Sequence, residues 1–206
     1  MKPQLYILEG PDAAGKSTLA TNMADRNNGN VFRCTYNRKL GEVIVEYFDS
    51  VLDNAEECLA RGRSMVIDRH WPSEWVYGGL QGRTVLSNEE ASRLDGRIKA
   101  LGGVYIFCSD DVPTQCTRHK LMKDPQHPYS DDLYTRVCGG YYVWWNTMLG
   151  TTPVYRYQMC IDGVDLAKFT HDLESDTNDR IYFPELVLPV AVSVLNDWTK
   201  ALTSRT

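Results

Sequence analysis

Gly10-Pro11-Asp12-Ala13-Ala14-Gly15-Lys16-Ser17 stands directly after an apolar run, Leu5 to Leu8, and directly before a helical stretch, Ser17 to Asp25. These eight residues match G-x-x-x-x-G-K-[ST] in full, in the strand-loop-helix context that the pattern requires. The spacing has a physical reason. Glycines let successive backbone N–H groups turn inward around phosphate oxygens, and the helix N-terminus adds the positive end of its dipole. In such a loop Gly10, Asp12, Ala13, Ala14, Gly15 and Thr18 line the phosphates of a nucleotide such as ATP. Lys16 reaches the β- and γ-phosphates as a point charge, and Ser17 gives its hydroxyl to Mg2+. The bland alternative is a glycine turn without a ligand, and the flanking strand and helix argue against it.

Outward from the loop, strand-like and helical segments alternate, the mark of a parallel sheet covered by helices. Val31 to Thr35 reads as a second strand, and Ile44, Phe48, Val51, Ala55 and Leu59 line one face of a helix. Met65 to Ile67 is a third strand. Ser87 with Glu90 forms a capping box for a helix carrying Ala91, Leu94, Ile98 and Leu101, which Gly102 and Gly103 end. Val104 to Cys108 is a fourth strand. Pro113 opens a further helix where its missing N–H costs nothing. Asp131 to Met148 is a long helix weakened by Gly139 and Gly140, and Val154 to Met159 is a fifth strand. The expected fold class is α/β, in three layers, with a central mostly parallel sheet of about five strands flanked by helices.

With 206 residues, the chain suits a single domain over 1–206, the last amphipathic segment in 176–206 packing as an extension on the same core. Apolar runs such as Leu186 to Leu195 fall short of the roughly 20 residues of a membrane span, so none is expected. The N-terminus lacks the basic and apolar regions of a signal peptide, and a cytoplasmic location follows as an expectation. Six scattered cysteines, without a C-x-x-C pair, predict neither a zinc site nor a disulfide framework; Cys108 and Cys138 read as small buried thiols. A net charge of −5 gives no overall field for nucleic acid.

Met65-Val66-Ile67-Asp68 is an apolar strand ending in a carboxylate, the form in which an Asp supports the metal of a phosphate loop. Arg69 follows with a planar fork suited to phosphate. No N-K-x-D guanine motif occurs, and a chain this short favours a small-molecule kinase over a motor ATPase.

Leu8-Glu9-Gly10-Pro11-Asp12-Ala13-Ala14-Gly15-Lys16-Ser17-Thr18 is close to E-G-x-D-x-x-G-K-S-T, and Asp68-Arg69-His70-x-x-Ser73-Glu74-x-x-Tyr77-Gly78 is like D-R-[YFH]-x-x-S. On these residues the chain resembles the thymidylate kinase family of P-loop kinases, particularly its bacteriophage-type deoxynucleoside monophosphate kinases. The likeness runs through Arg83 and Leu86 to Ile106. It implies a P-loop kinase fold and ATP- and Mg2+-dependent transfer to a deoxynucleoside monophosphate. It implies that Asp12 lies near the acceptor's sugar and phosphate, that Arg69 grips the acceptor phosphate, and that Ser73 and Tyr77, on one helical face, border its base or sugar. Ordinary turn bonding for Asp12 and ordinary helix packing for Ser73 and Tyr77 are the alternatives.

The same resemblance places a cationic lid at about 118–130, with Arg118 and Lys123 acting on the transferred phosphate; a solvated basic helix face is the alternative. Arg136 either meets the same phosphates or pairs with a carboxylate such as Asp132. After the second strand, Thr35-Tyr36-Asn37-Arg38-Lys39 departs from the family's arginine with glycines, leaving Arg38 to hold the acceptor phosphate. The acceptor is accordingly thymidylate, another or a modified pyrimidine deoxynucleotide, a nucleoside, or a hydroxymethylated base within DNA. A non-catalytic nucleotide-binding regulator is the alternative of another class. Tyr36, Trp71 and Tyr77 either stack a base or belong to the core. The resemblance also implies a homodimer.

Overall fold

The computed structural model describes residues 3–35, 44–82, 86–110, 112–121, 131–147, 152 and 154–157. Among them, strands β1 (Leu5–Glu9), β2 (Asn30–Arg33), β3 (Met65–Asp68), β4 (Val104–Cys108) and β5 (Val154–Tyr157) are interleaved with helices. The helices are α1 (Lys16–Arg26), α2 (Ile44–Ala60), α3 (Trp71–Leu80), α4 (Asn88–Ala100), α5 (Val112–Lys120) and α6 (Asp131–Thr147). All the strands run parallel, in the order β2-β3-β1-β4-β5. The chain first builds one side of β1 and then crosses to the other, so β1 sits where the winding direction reverses. In open sheets of this kind the crevice beyond the strands' carboxyl ends at that point receives ligands.

Side chains alternate across the sheet and divide the core in two. Leu5, Ile7, Met65, Ile67, Tyr105 and Phe107 pack with Phe48, Leu52, Leu94, Ile98 and Trp144 from α2, α4 and α6. Tyr6, Leu8, Val66, Ile106 and Cys108 pack instead on Leu19, Ala20 and Met23 of α1. The result is the expected three layers, and each fully buried Leu, Ile or Phe contributes about 1.5–3 kcal/mol.

Several local expectations hold. Ser87 Oγ accepts from Glu90 N at 3.2 Å while the Glu90 carboxylate accepts from Ser87 N at 2.7 Å, closing the capping box that starts α4. Others are revised. The ladder of β2 ends at Arg33, short of Thr35. Helix α6 runs through Gly139 and Gly140 as expected, and a Cβ on Gly140 would lie 2.8 Å from Val76 Cγ1 of α3, so the small residue admits a close helix pair. Trp71 is core, its indole donating to Tyr105 OH at 2.9 Å, and is not available to stack a base. No disulfide joins the described cysteines, and no metal-binding cluster of His, Cys, Asp and Glu occurs among the described residues. No described helix is long and apolar enough to cross a membrane. The segment 176–206, residues 122–130 with Lys123, and Tyr36 and Arg38 lie outside the described residues.

Candidate active site

The loop between β1 and α1 leaves the sheet under tight constraint. Gly10 has φ +135°, and a Cβ there would stand 2.0 Å from the Cys108 carbonyl oxygen of β4. Ala13 (φ 61°) and Gly15 (φ 79°) are left-handed, the kind of backbone from which anion-binding nests of N–H groups are built. Lys16, buried at the first turn of α1, donates from Nζ to Gly10 O at 2.9 Å and to Pro11 O. Burial, aided by the nearby Arg69 guanidinium, pushes its ammonium down to about 8. A phosphate would reverse both effects, since an adjacent anion favours the charged form.

The end of β3 supplies the second group. Ser17 Oγ donates to Asp68 Oδ2 at 2.8 Å, and Asp68 is almost wholly buried. The other oxygen, Oδ1, has no hydrogen-bond partner among the described residues. A hydroxyl beside a carboxylate with a spare buried oxygen is a hard donor set that fits Mg2+. Arg33, at the end of β2, approaches the same place: Nη2 donates to Ser17 Oγ at 2.8 Å, and Nε lies 3.4 Å from Asp68 Oδ2.

Arg69, the next residue after β3, has a left-handed backbone at φ 73°. Its Nη1 donates toward Gly10 O, Ser73 Oγ and Tyr141 OH, each at 3.1 Å, while Nη2 is ion-paired with Asp12 Oδ1. The guanidinium lies over the Tyr77 ring, 5.2 Å from its centroid, a cation–π arrangement. Asp12 is further fixed through its carbonyl, which accepts from Tyr134 OH at 2.7 Å. Burial opposes the Asp12 charge, but Arg69 and Lys16 together hold its carboxyl below the usual range.

Glu9 supports this corner from beneath. It shares the Leu5–Ile7 face of β1, is completely buried, and accepts from His70 N and Ser73 Oγ at 2.6 Å each and from Tyr141 OH at 3.2 Å. Burial raises its carboxyl to about 7, against the pull of the Ser73 hydrogen bond and Arg69. The grips on His70 N and Ser73 Oγ, both just after Arg69, tie the segment that follows its left-handed turn back to β1. His70 itself is neutral: burial lowers it to about 4, and Nε2 donates to Phe48 O at 3.2 Å.

Of the residues selected from sequence, the structure brings together Gly10, Asp12, Lys16, Ser17, Asp68, Arg69, Ser73 and Tyr77. Ser73 is committed internally, to Glu9, Arg69 and Tyr141, so it acts through Arg69. Arg118 is ion-paired with the buried Asp110, and His119 beside it packs on Tyr134 at 5.5 Å between ring centroids. The described start of the expected lid, 118–121, is thus the end of α5 and the turn after it, docked on α6. Sequence reasoning missed Arg33, Glu9, Tyr134 and Tyr141. For one of them a signal existed, the parity of Glu9 with Leu5 and Ile7; the register of Arg33 with Asp68 is seen only in the fold.

No family model matches the chain, and no curated protein matches its sequence. Solved structures do match. The YorR protein of Bacillus subtilis, in complex with phosphorylated GDP, superposes with a TM-score of 0.67 at 20% identity, covering 85% of this chain and 99% of that one. Deoxyadenosine kinase of M. mycoides with dCMP and a flexible dCDP gives 0.52 at 12% identity, covering 84% and 100%; with dCTP the score is 0.53 at the same identity and coverage. At these identities the likeness is one of fold alone.

Proposed function

We propose that this chain is a kinase that moves the γ-phosphoryl group of ATP, with Mg2+, onto a deoxynucleoside monophosphate, a thymidylate-type or modified pyrimidine nucleotide. One observation carries the reading. A single carbonyl, Gly10 O, accepts from both Lys16 Nζ at 2.9 Å and Arg69 Nη1 at 3.1 Å, so a donor-side cation and an acceptor-side cation meet across one peptide group. Two like charges held that close call for anions on either side, and phosphoryl transfer supplies them.

In this reading the backbone of residues 10–15 and Lys16 hold the donor polyphosphate, while Ser17 and Asp68 hold the metal. Bound Mg2+ supplies charge neutralisation on the β- and γ-oxygens. Arg69, fixed by Glu9, Ser73 and Tyr141, presents its remaining N–H groups to the acceptor phosphate, and Asp12 and Tyr77 border the acceptor's sugar. An acceptor phosphate oxygen arrives already deprotonated, so the chain's task is positioning and charge stabilisation. Arg38, Arg118 and Lys123 are the further cations proposed for the closed state, and 1–206 is proposed to be one domain.

A second reading is a nucleoside acceptor, supported by the fold shared with deoxyadenosine kinase. Incubation of the pure full chain with γ-labelled ATP and a panel of nucleosides, monophosphates and hydroxymethylated duplex DNA separates the possibilities. Label moving to deoxynucleoside monophosphates is the expected result. Transfer only to nucleosides or DNA overturns the acceptor assignment, and ATP binding without transfer to any of them overturns the kinase reading.

A further inference from the structure

The residue pair that the proposed function gives to the metal already has a cation in attendance. Strand parity forces the meeting: β2 and β3 are parallel with Arg33 opposite Asp68, and register partners in a sheet point to the same face. Arg33 therefore projects with Asp68 toward α1 and the phosphate loop. Its Nη2 donates to Ser17 Oγ at 2.8 Å and its Nε is 3.4 Å from Asp68 Oδ2. The two partners differ sharply in burial, for the Arg33 side chain is 61% exposed and that of Asp68 only 2%. A solvated arm thus reaches over a carboxylate that is itself out of water. Lys16 does not take this place, because its ammonium is turned to Gly10 O and Pro11 O.

We infer that Arg33 is the resident counter-ion of the Ser17–Asp68 oxygen pair, and that a divalent metal binds there by displacing it. The inference rests on the proposed function insofar as that reading places the metal at Ser17 and Asp68. Displacement is sterically cheap, since the long stem can swing into solvent without opening the core. It is electrostatically modest too. An ion pair with one exposed partner is worth up to about 1 kcal/mol, which corresponds to roughly fivefold in an equilibrium constant. Arg33 consequently discounts metal affinity by a few fold, covers the buried Asp68 charge before the metal arrives, and makes metal binding expel a guanidinium.

Mn2+ alone serves as the probe, titrated into the full chain without nucleotide and followed by the loss of its free electron-spin-resonance signal. Arg33→Met keeps the stem and removes the charge; Arg33→Lys keeps a charge without the fork. Tighter Mn2+ binding by about three- to fivefold in Arg33→Met, with Arg33→Lys close to the parent, is the expected result. Unchanged or weaker Mn2+ binding in Arg33→Met, with an unaltered thermal melt, overturns the inference while leaving the kinase reading intact. Asp68→Asn is the control for the site itself. Loss of Mn2+ binding there supports the pair as the metal's ligands, whereas full binding overturns both the metal assignment and the displacement built on it.

Discussion

Two charged clusters in this fold use the same kinds of residue to opposite ends. On the outer face, Arg93 forks onto both oxygens of Asp49 at 2.9 and 2.6 Å, and Arg97 bridges Asp49 at 2.7 Å and Asp53 at 2.6 Å, tying α4 to α2. Water reaches these groups, so their charges cost little to keep and gain little from pairing. At the strands' carboxyl ends, Lys16, Arg69, Asp12 and Glu9 crowd into a largely water-free corner, where burial lowers one group to about 8 and raises another to about 7. Burial of this kind is expensive unless something is gained from it. The contrast teaches that the outer network fastens helices, whereas the inner one keeps charge where water is scarce, the arrangement on which the proposed function draws.

The contrast can be broken at its strongest point by Lys16→Ala. Phosphoryl transfer should fall on the order of 10^3-fold, the loss seen when one fixed charge-stabilising donor is removed. Thermal unfolding should shift little or upward, because a buried charge leaves with the side chain; a collapsed melt with parallel loss of activity would make Lys16 a structural residue. Gly10→Ala comes next. Its Cβ would meet a backbone oxygen at 2.0 Å in a region of φ that L side chains avoid, so denaturant unfolding should show a loss of about 3 kcal/mol or more.

Glu9→Gln sharpens the comparison through pH. A carboxyl raised from 4.5 to about 7 binds its proton more tightly in the folded chain than in the unfolded one. Stability from this group is therefore greatest at low pH, falls as pH rises from about 4.5 through about 7, and is flat above. The span corresponds to roughly 3 kcal/mol. Unfolding free energies measured across that window should diverge in favour of the Gln variant as pH rises, and parallel curves would mean that Glu9 carries no such shift. The smallest effect belongs to the outer network. Arg93→Ala should cost less than about 1 kcal/mol by urea unfolding and leave transfer untouched.

Local chemistry is what the sequence displays best. The phosphate loop, the strand ending in Asp68 and the Ser87–Glu90 box were readable because each is a short run whose residues serve one another. The partners of Arg33, Glu9, Tyr134 and Tyr141 were not, since each acts on residues far along the chain and depends on strand order and helix placement; parity alone put Glu9 on the buried face of β1. Trp71 shows the limit in miniature: only its partner Tyr105, 34 positions later, decides that it is core. Gly140 shows what the helix reading left out: a residue that weakens a helix in isolation lies where a Cβ would press on the neighbouring Val76.

Tyr134 and Tyr141 lie seven residues apart on α6, one gripping the Asp12 carbonyl and the other the Arg69–Ser73–Glu9 corner. Seven residues make nearly two full turns, about 10.5 Å of rise with the two rings on a common stripe. Helix α6 is thereby a gauge of fixed pitch laid between Asp12 and the Arg69–Ser73–Glu9 corner. Inserting or deleting one residue between the two tyrosines would rotate one hydroxyl by about 100° away from its post, while an insertion before residue 134 would leave the gauge length unaltered.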